Sequence, residues 1–159
     1  MSKTLDPLGT PATWREFLFN SVLLTWQTGR LKARAGNFDK RILGSELDLL
    51  VLRKSKLAEM DAAEAQFAKN PDEFLVMYRE GPGWSSVFKS LRDMTAHGDF
   101  ASHKRGWITI RHRYKGPREK SESTRLFGHL KFQTLKGLVQ FIKETLHNST
   151  NCVLDVSPA

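Results

Sequence analysis

The segment Trp84-Ser85-Ser86-Val87-Phe88-Lys89-Ser90-Leu91-Arg92-Asp93-Met94-Thr95-Ala96-His97-Gly98 carries the clearest periodicity in the chain. Trp84, Val87, Phe88, Leu91 and Met94 recur at three- and four-residue intervals, which places them on one buried face of a helix. Gly81-Pro82-Gly83 breaks the chain before it, and Gly98 can adopt the left-handed backbone that ends a helix. At about 100° per residue, Arg92 falls on the flank of the apolar stripe, while Asp93 and His97 share the opposite, exposed face. Their four-residue spacing lets the Asp93 carboxylate reach the His97 ring and hold one tautomer. Arg92 and His97 lie about 140° apart on an unbroken helix, so a helix end at Gly98 or a second subunit is needed to unite them. An arginine clamps phosphate and a histidine carries protons near neutral pH, which makes Arg92, Asp93 and His97 the catalytic candidates. Arg105 and His112 repeat a similar spacing, but there it runs from a turn into a strand.

Before this segment, Thr13-Trp14-Arg15-Glu16 has the spacing of a capping box, and Trp14, Phe17, Leu18, Val22 and Trp26 mark a first helix ending at about residue 28. Residues 29–36 form a short basic connection, read as a frayed helix end. Residues 39–69 lack proline and are rich in Leu, Ala, Glu and Lys, which predicts a long helix with Gly44-Ser45 as the place where it can break. Asn70-Pro71 ends that helix and opens a short third one to about Arg79, with Asp72 and Glu73 complementing its dipole. After Gly98 the pattern changes. Ile108, Ile110, His112 and Tyr114 alternate with Trp107, Thr109, Arg111 and Arg113, a strand pattern; residues 115–124 read as a hairpin tip and 125–132 as the return strand. His112 and His129 are therefore expected to be strand residues rather than catalysts. Leu135, Leu138, Val139, Ile142 and Leu146 predict a last helix beginning near Thr134, followed by a flexible tail over residues 148–159. The expected fold is mainly α: a helical bundle of about five helices with a β-hairpin, about residues 106–132, inserted before the last helix. One domain spans residues 1–159.

The formal charge of +8 is unevenly spread. Between His103 and Lys131 there are nine cations (Lys104, Arg105, Arg111, Arg113, Lys115, Arg118, Lys120, Arg125, Lys131) against Glu119 and Glu122, a net of +7. Such a field attracts a phosphate backbone, and the neighbouring Trp107, Tyr114 and Phe127 suit bases. Lys104, Arg105, Arg111, Arg113, Lys115, Arg118 and Arg125 are the expected nucleic-acid contacts. The single Cys152 forms no internal disulfide and supports no cysteine-built zinc site; together with the lack of a leader-like pattern it predicts a cytoplasmic protein. The longest apolar clusters fall short of the roughly 18 to 20 residues that span a bilayer, so no membrane association is expected. No glycine-rich phosphate loop and no metal-ligand spacing occur in the sequence, which argues against ATPase and metallohydrolase classes; neither metal nor cofactor is expected.

Leu91-Arg92-Asp93-Met94-Thr95-Ala96-His97-Gly98 resembles the signature of the HEPN (higher eukaryotes and prokaryotes nucleotide-binding) superfamily: Arg, a polar residue, then His a few positions on, here with an Ala-His-Gly ending. The resemblance implies a compact, mostly helical domain. It also implies a metal-independent endoribonuclease, often a toxin or antiviral effector, whose homodimer places two motifs in one cleft. The inserted hairpin departs from the simplest four-helix form of that family. On this reading the RNA 2′-hydroxyl attacks the phosphate, His97 moves protons, Arg92 neutralises the phosphorane, Asp93 orients the imidazole and the basic hairpin holds the backbone. Two other readings fit the same residues: a non-catalytic RNA- or nucleotide-binding module, and one member of a toxin and antitoxin pair that binds a protein antitoxin or regulator.

Overall fold

Phe74-Leu75-Val76-Met77-Tyr78 is a short apolar run of the kind that suits a strand buried on both sides, and it forms the middle of the molecule. The computed structural model describes residues 5, 7–27, 40–44, 47–54, 56–78 and 83–155. Its six strands are β1 (Lys40–Gly44), β2 (Leu47–Lys54), β3 (Phe74–Tyr78), β4 (Phe100–Ser102), β5 (Trp107–Tyr114) and β6 (Ser123–Lys131). They form one mixed sheet in the order β1-β2-β3-β6-β5-β4, with β2 and β3 parallel and the other neighbours antiparallel. Helix α3 (Leu57–Phe67) connects the parallel pair and packs Met60 and Ala63 against Phe74, Val76 and Phe127. The opposite face carries the larger core. There Leu75 and Met77 of β3 meet Val87, Phe88, Leu91 and Met94 of α4 (Gly83–His97) and Leu135, Leu138 and Ile142 of α5 (Phe132–Asp155). The amino-terminal helix completes this layer as α1 (Ala12–Phe17), a π-helical segment Leu18–Leu23 and α2 (Leu24–Gln27). Its Trp14 ring stacks on Phe132 at 4.3 Å.

The architecture is mixed α/β, and the expected mainly α bundle is corrected accordingly. The expected helix over 39–69 is two strands and a shorter helix, because an apolar run such as 47–52 suits a buried strand as well as a helix, and a neighbouring edge decides between them. Here β2 finds β3, with Leu50 opposite Phe74 and Leu52 opposite Val76. Asn70-Pro71 opens no helix: the Asn70 side-chain oxygen accepts the Asp72 N–H at 2.9 Å, a local turn that delivers the chain into β3. Glu73 accepts the backbone N–H of Lys131 at 2.7 Å instead of capping a first turn. The capping box at Thr13 and Glu16 is absent too, since α1 starts at Ala12 after Pro11 without a side-chain cap. The hairpin stands as expected, and so do Val87, Phe88, Leu91 and Met94 of the α4 stripe and Leu135, Leu138, Val139 and Ile142 of the α5 stripe. The Trp84 and Leu146 side chains lie outside what is described; α5 starts at Phe132 and takes up most of the expected tail, reaching Asp155. The basic connection 29–36, the Gly81-Pro82 part of the breaker and residues 156–159 lie outside the described residues. Among the described residues, no helix is long and apolar enough to cross a membrane.

Gly128 of β6 pairs with Leu75 of β3. A Cβ there would stand 2.7 Å from Leu75 Cδ1 and 2.8 Å from the Phe74 carbonyl oxygen, and a backbone atom cannot yield as a side-chain tip can. Gly128→Ala should therefore destabilise the fold by about 1–3 kcal/mol, the usual cost of overpacking, read as a lowered urea midpoint.

Candidate functional site

The site begins where α4 stops. Gly98 takes φ +67°, its N–H bonds the Thr95 carbonyl at 3.2 Å, and the Asp99 N–H bonds the Met94 carbonyl at 3.0 Å, the paired closure of a Schellman motif. The reversal carries the chain straight into β4 and sets Asp99 beside β5, where the Asp99 carbonyl accepts the Arg111 N–H at 3.1 Å. The Asp99 carboxylate then meets His112, with Oδ2 at 2.7 Å from Nδ1. A carboxylate only accepts, so His112 donates through Nδ1 and turns its Nε2 away from Asp99. The His112 ring is buried, and His97, exposed at the helix end, lies with its ring centroid 5.2 Å away at 34°.

A second irregularity supplies charge. Opposite the His112/Arg113 step the register of β6 slips, so that His112 pairs with Leu126 and Arg113 with Thr124 while Arg125 has no partner across the ladder. A bulge of this kind re-aims the extra side chain. The Arg125 guanidinium lies 5.2 Å from the Tyr78 ring centroid and 5.5 Å from that of Tyr114, and it is tied to the Glu119 carboxylate. That hydrogen bond is the main cause holding the Glu119 carboxyl below its ordinary titration range, with the Gly116 backbone adding to it and burial opposing it. Together these elements enclose a cavity of about 330 Å³ lined by Tyr78, Lys89, Ser90, Asp93, His97, His112, Tyr114 and Arg125.

Of the three catalytic candidates, His97 and Asp93 line this cavity and Arg92 does not. Asp93 pairs with Arg92 (3.1 Å), and His97 meets a second imidazole rather than an aspartate. Among the expected nucleic-acid contacts, Arg111 is bound to Glu64 at 2.6 Å, Arg113 donates to the Glu122 carbonyl at 3.3 Å, and Arg125 is buried in the cavity wall. Lys104, Arg105, Lys115 and Arg118 are exposed on the turns at the two ends of β5. His112 and His129 do lie on strands, yet His112 belongs to the site as well. The signal for it was present: a lone imidazole among Ile108 and Ile110 on a buried face requires a partner. Lys89, at the same four-residue interval as Asp93 and His97, was equally legible. Among the described residues, no three His, Cys, Asp or Glu side chains converge as a metal-ligand set. No family model, curated protein or solved structure matches the chain.

Asp99→Ala should leave the buried His112 N–H without an acceptor and cost about 1–3 kcal/mol of stability in urea unfolding. A carboxyl held below its unfolded titration point stabilises the fold above that point, and the contribution is lost as pH falls through the folded value. Arg125→Ala should therefore move the Glu119 carboxyl titration upward, followed by NMR across the acid range.

Proposed function

We propose that the chain is a metal-independent endoribonuclease that cleaves RNA through the substrate's own 2′-hydroxyl, leaving a 2′,3′-cyclic phosphate and a free 5′-hydroxyl. One observation carries this reading: an Asp-oriented imidazole and a solvent-facing imidazole, 5.2 Å apart, share a cavity with Lys89 and Arg125. A phosphodiester exchange needs one group to take a proton and another to give one, at opposite sides of the phosphorus. His112, whose Nδ1 is committed to Asp99, accepts the 2′-hydroxyl proton at Nε2 as the oxygen bonds to phosphorus. His97 in its protonated form donates to the departing 5′-oxygen as the P–O5′ bond breaks. Lys89 and Arg125 oppose the negative charge that builds on the phosphorane, the role first given to Arg92. Arg92 instead holds Asp93 at the cavity edge.

The HEPN resemblance supplies the same reaction class from the residues around Arg92 and His97, but the helical bundle it implies is not the fold of this chain. The reading therefore rests on the side chains in the cavity. RNA is the substrate and the cytoplasm the compartment on this view, and the homodimer suggested by the resemblance is a matter for sedimentation.

The test is an oligoribonucleotide incubated with the protein in EDTA. His97→Ala should slow cleavage by about 10² to 10⁴, the usual contribution of a positioned proton carrier. A 2′-deoxy residue at the scissile position should abolish it, and the pH profile should be bell-shaped. Undiminished cleavage by His97→Ala would sink the proposal.

A further inference from the structure

The other face of the sheet carries a second cleft. Thr109 and Arg111 alternate with Ile110 and His112 along β5, so they point away from the His97–His112 cavity, toward the side that α3 covers. Helix α3 reaches only part of that side, ending at Phe67. Beyond it a cleft of about 740 Å³ opens between the end of α3 and strands β4 to β6. Phe67, Phe74 and Phe127 form its apolar floor, and their rings pack at 5.2 Å and 5.8 Å in tilted and edge contacts.

His103, Lys104 and His129 line the cleft and belong to an aromatic and cationic row that Trp107 and Lys131 continue beside it. His129 stacks on Trp107 at 4.6 Å and 21°, and His103 meets the same imidazole edge-on at 5.1 Å. Lys104 lies 4.6 Å over the Trp107 ring and Lys131 5.9 Å over it, and Lys69 also lines the cleft. Burial, then His103 and Lys104, push the His129 imidazole below its ordinary titration range, with Glu73 opposing. Its Nδ1 is engaged with the Thr109 hydroxyl at 3.3 Å, which fixes the ring plane.

We propose that this cleft is a binding site for single-stranded RNA, separate from the cleavage cavity, that seats unstacked bases against the His103–His129–Trp107 row and phosphates on Lys104, Lys131 and Lys69. The proposal deepens the nuclease reading by supplying the hold on the substrate, and it rests on that reading for the choice of RNA. Aromatic rings accept any base face and flexible lysines follow the backbone, which is how sequence-tolerant single-strand sites are built. The volume falls within the range of small-ligand pockets, enough for unstacked bases. The exposed Lys104 ammonium rests on the Trp107 ring, from which a flexible side chain can turn to a phosphate.

The experiment uses full-length His97→Ala protein, so that binding is read without turnover, and a fluorescently labelled oligouridylate followed by anisotropy. Adding His103→Ala and Lys104→Ala, both at exposed positions, should weaken binding at least about tenfold and lower the salt dependence by close to one phosphate contact. Unchanged affinity in that variant overturns the proposal, as does equal affinity for duplex RNA or the lack of any binding by the His97→Ala parent. Cleavage is scored separately on a ribodinucleotide. Weakened binding in the cleft variant alongside persistent cleavage by His97→Ala would retain the cleft and remove the nuclease; the reverse pair of results would do the opposite.

Discussion

A strand with water on neither side constrains everything around it. Phe74 and Val76 of β3 face α3, while Leu75 and Met77 face the layer built by α4 and α5; all four are buried. Burying such side chains contributes on the order of 1.5–3 kcal/mol each, and that gain is available only if both covers are in place. The parallel partner β2 then requires a crossover, which α3 provides, and the antiparallel partner β6 requires a residue without a side chain at Gly128. The sheet, its two layers and the close approach of β3 to β6 are thus consequences of one doubly enclosed segment.

The candidate site is assembled at two places where regular structure is interrupted. The left-handed turn at Gly98 ends α4 with His97 exposed and, one residue later, aims Asp99 at His112. The bulge in β6 aims Arg125 toward the same cavity between two tyrosines. A helix and a sheet that continued without fault would leave His97, His112 and Arg125 on separate surfaces. Because the interruptions are held by backbone hydrogen bonds and by buried packing, the side chains they carry are positioned before any ligand arrives, the condition under which charges and proton carriers are most effective.

The two sides of the sheet also divide the charge. Three arginines of the basic segment are engaged with acidic or carbonyl groups: Arg111 with Glu64, Arg113 with Glu122 and Arg125 with Glu119. Glu64, from outside the basic segment, offsets one of its positive charges; Glu119 is already part of that count and the Glu122 carbonyl carries no charge. What stays outward is mostly lysine, at the turns and along the α3-side cleft, where flexible cations surround an aromatic row. The cavity and the cleft thus lie on opposite faces of β5, with His112 and Tyr114 lining one and Thr109 and Arg111 the other.

Local pattern alone determined the elements whose period is long and unambiguous. The stripe of Val87, Phe88, Leu91 and Met94, the stripe of Leu135, Leu138 and Ile142, and the alternation from Trp107 to Tyr114 each have one conformation that buries them, and Gly98 is a residue that can close a helix in this way. The candidate site was half legible for the same reason: His97 and Asp93 follow from helix geometry, and His112 from a polar ring on an apolar strand face. Only the tertiary structure decided that residues 40–44, 47–54 and 74–78 are strands, because short runs of Leu, Val and Phe bury equally well in either state and the choice belongs to the neighbouring edge. It alone decided that Asp99 rather than Asp93 orients an imidazole, and that Arg125 rather than Arg92 enters the cavity. Those pairings join residues 13 or more positions apart, across a turn and a bulge that no local period encodes.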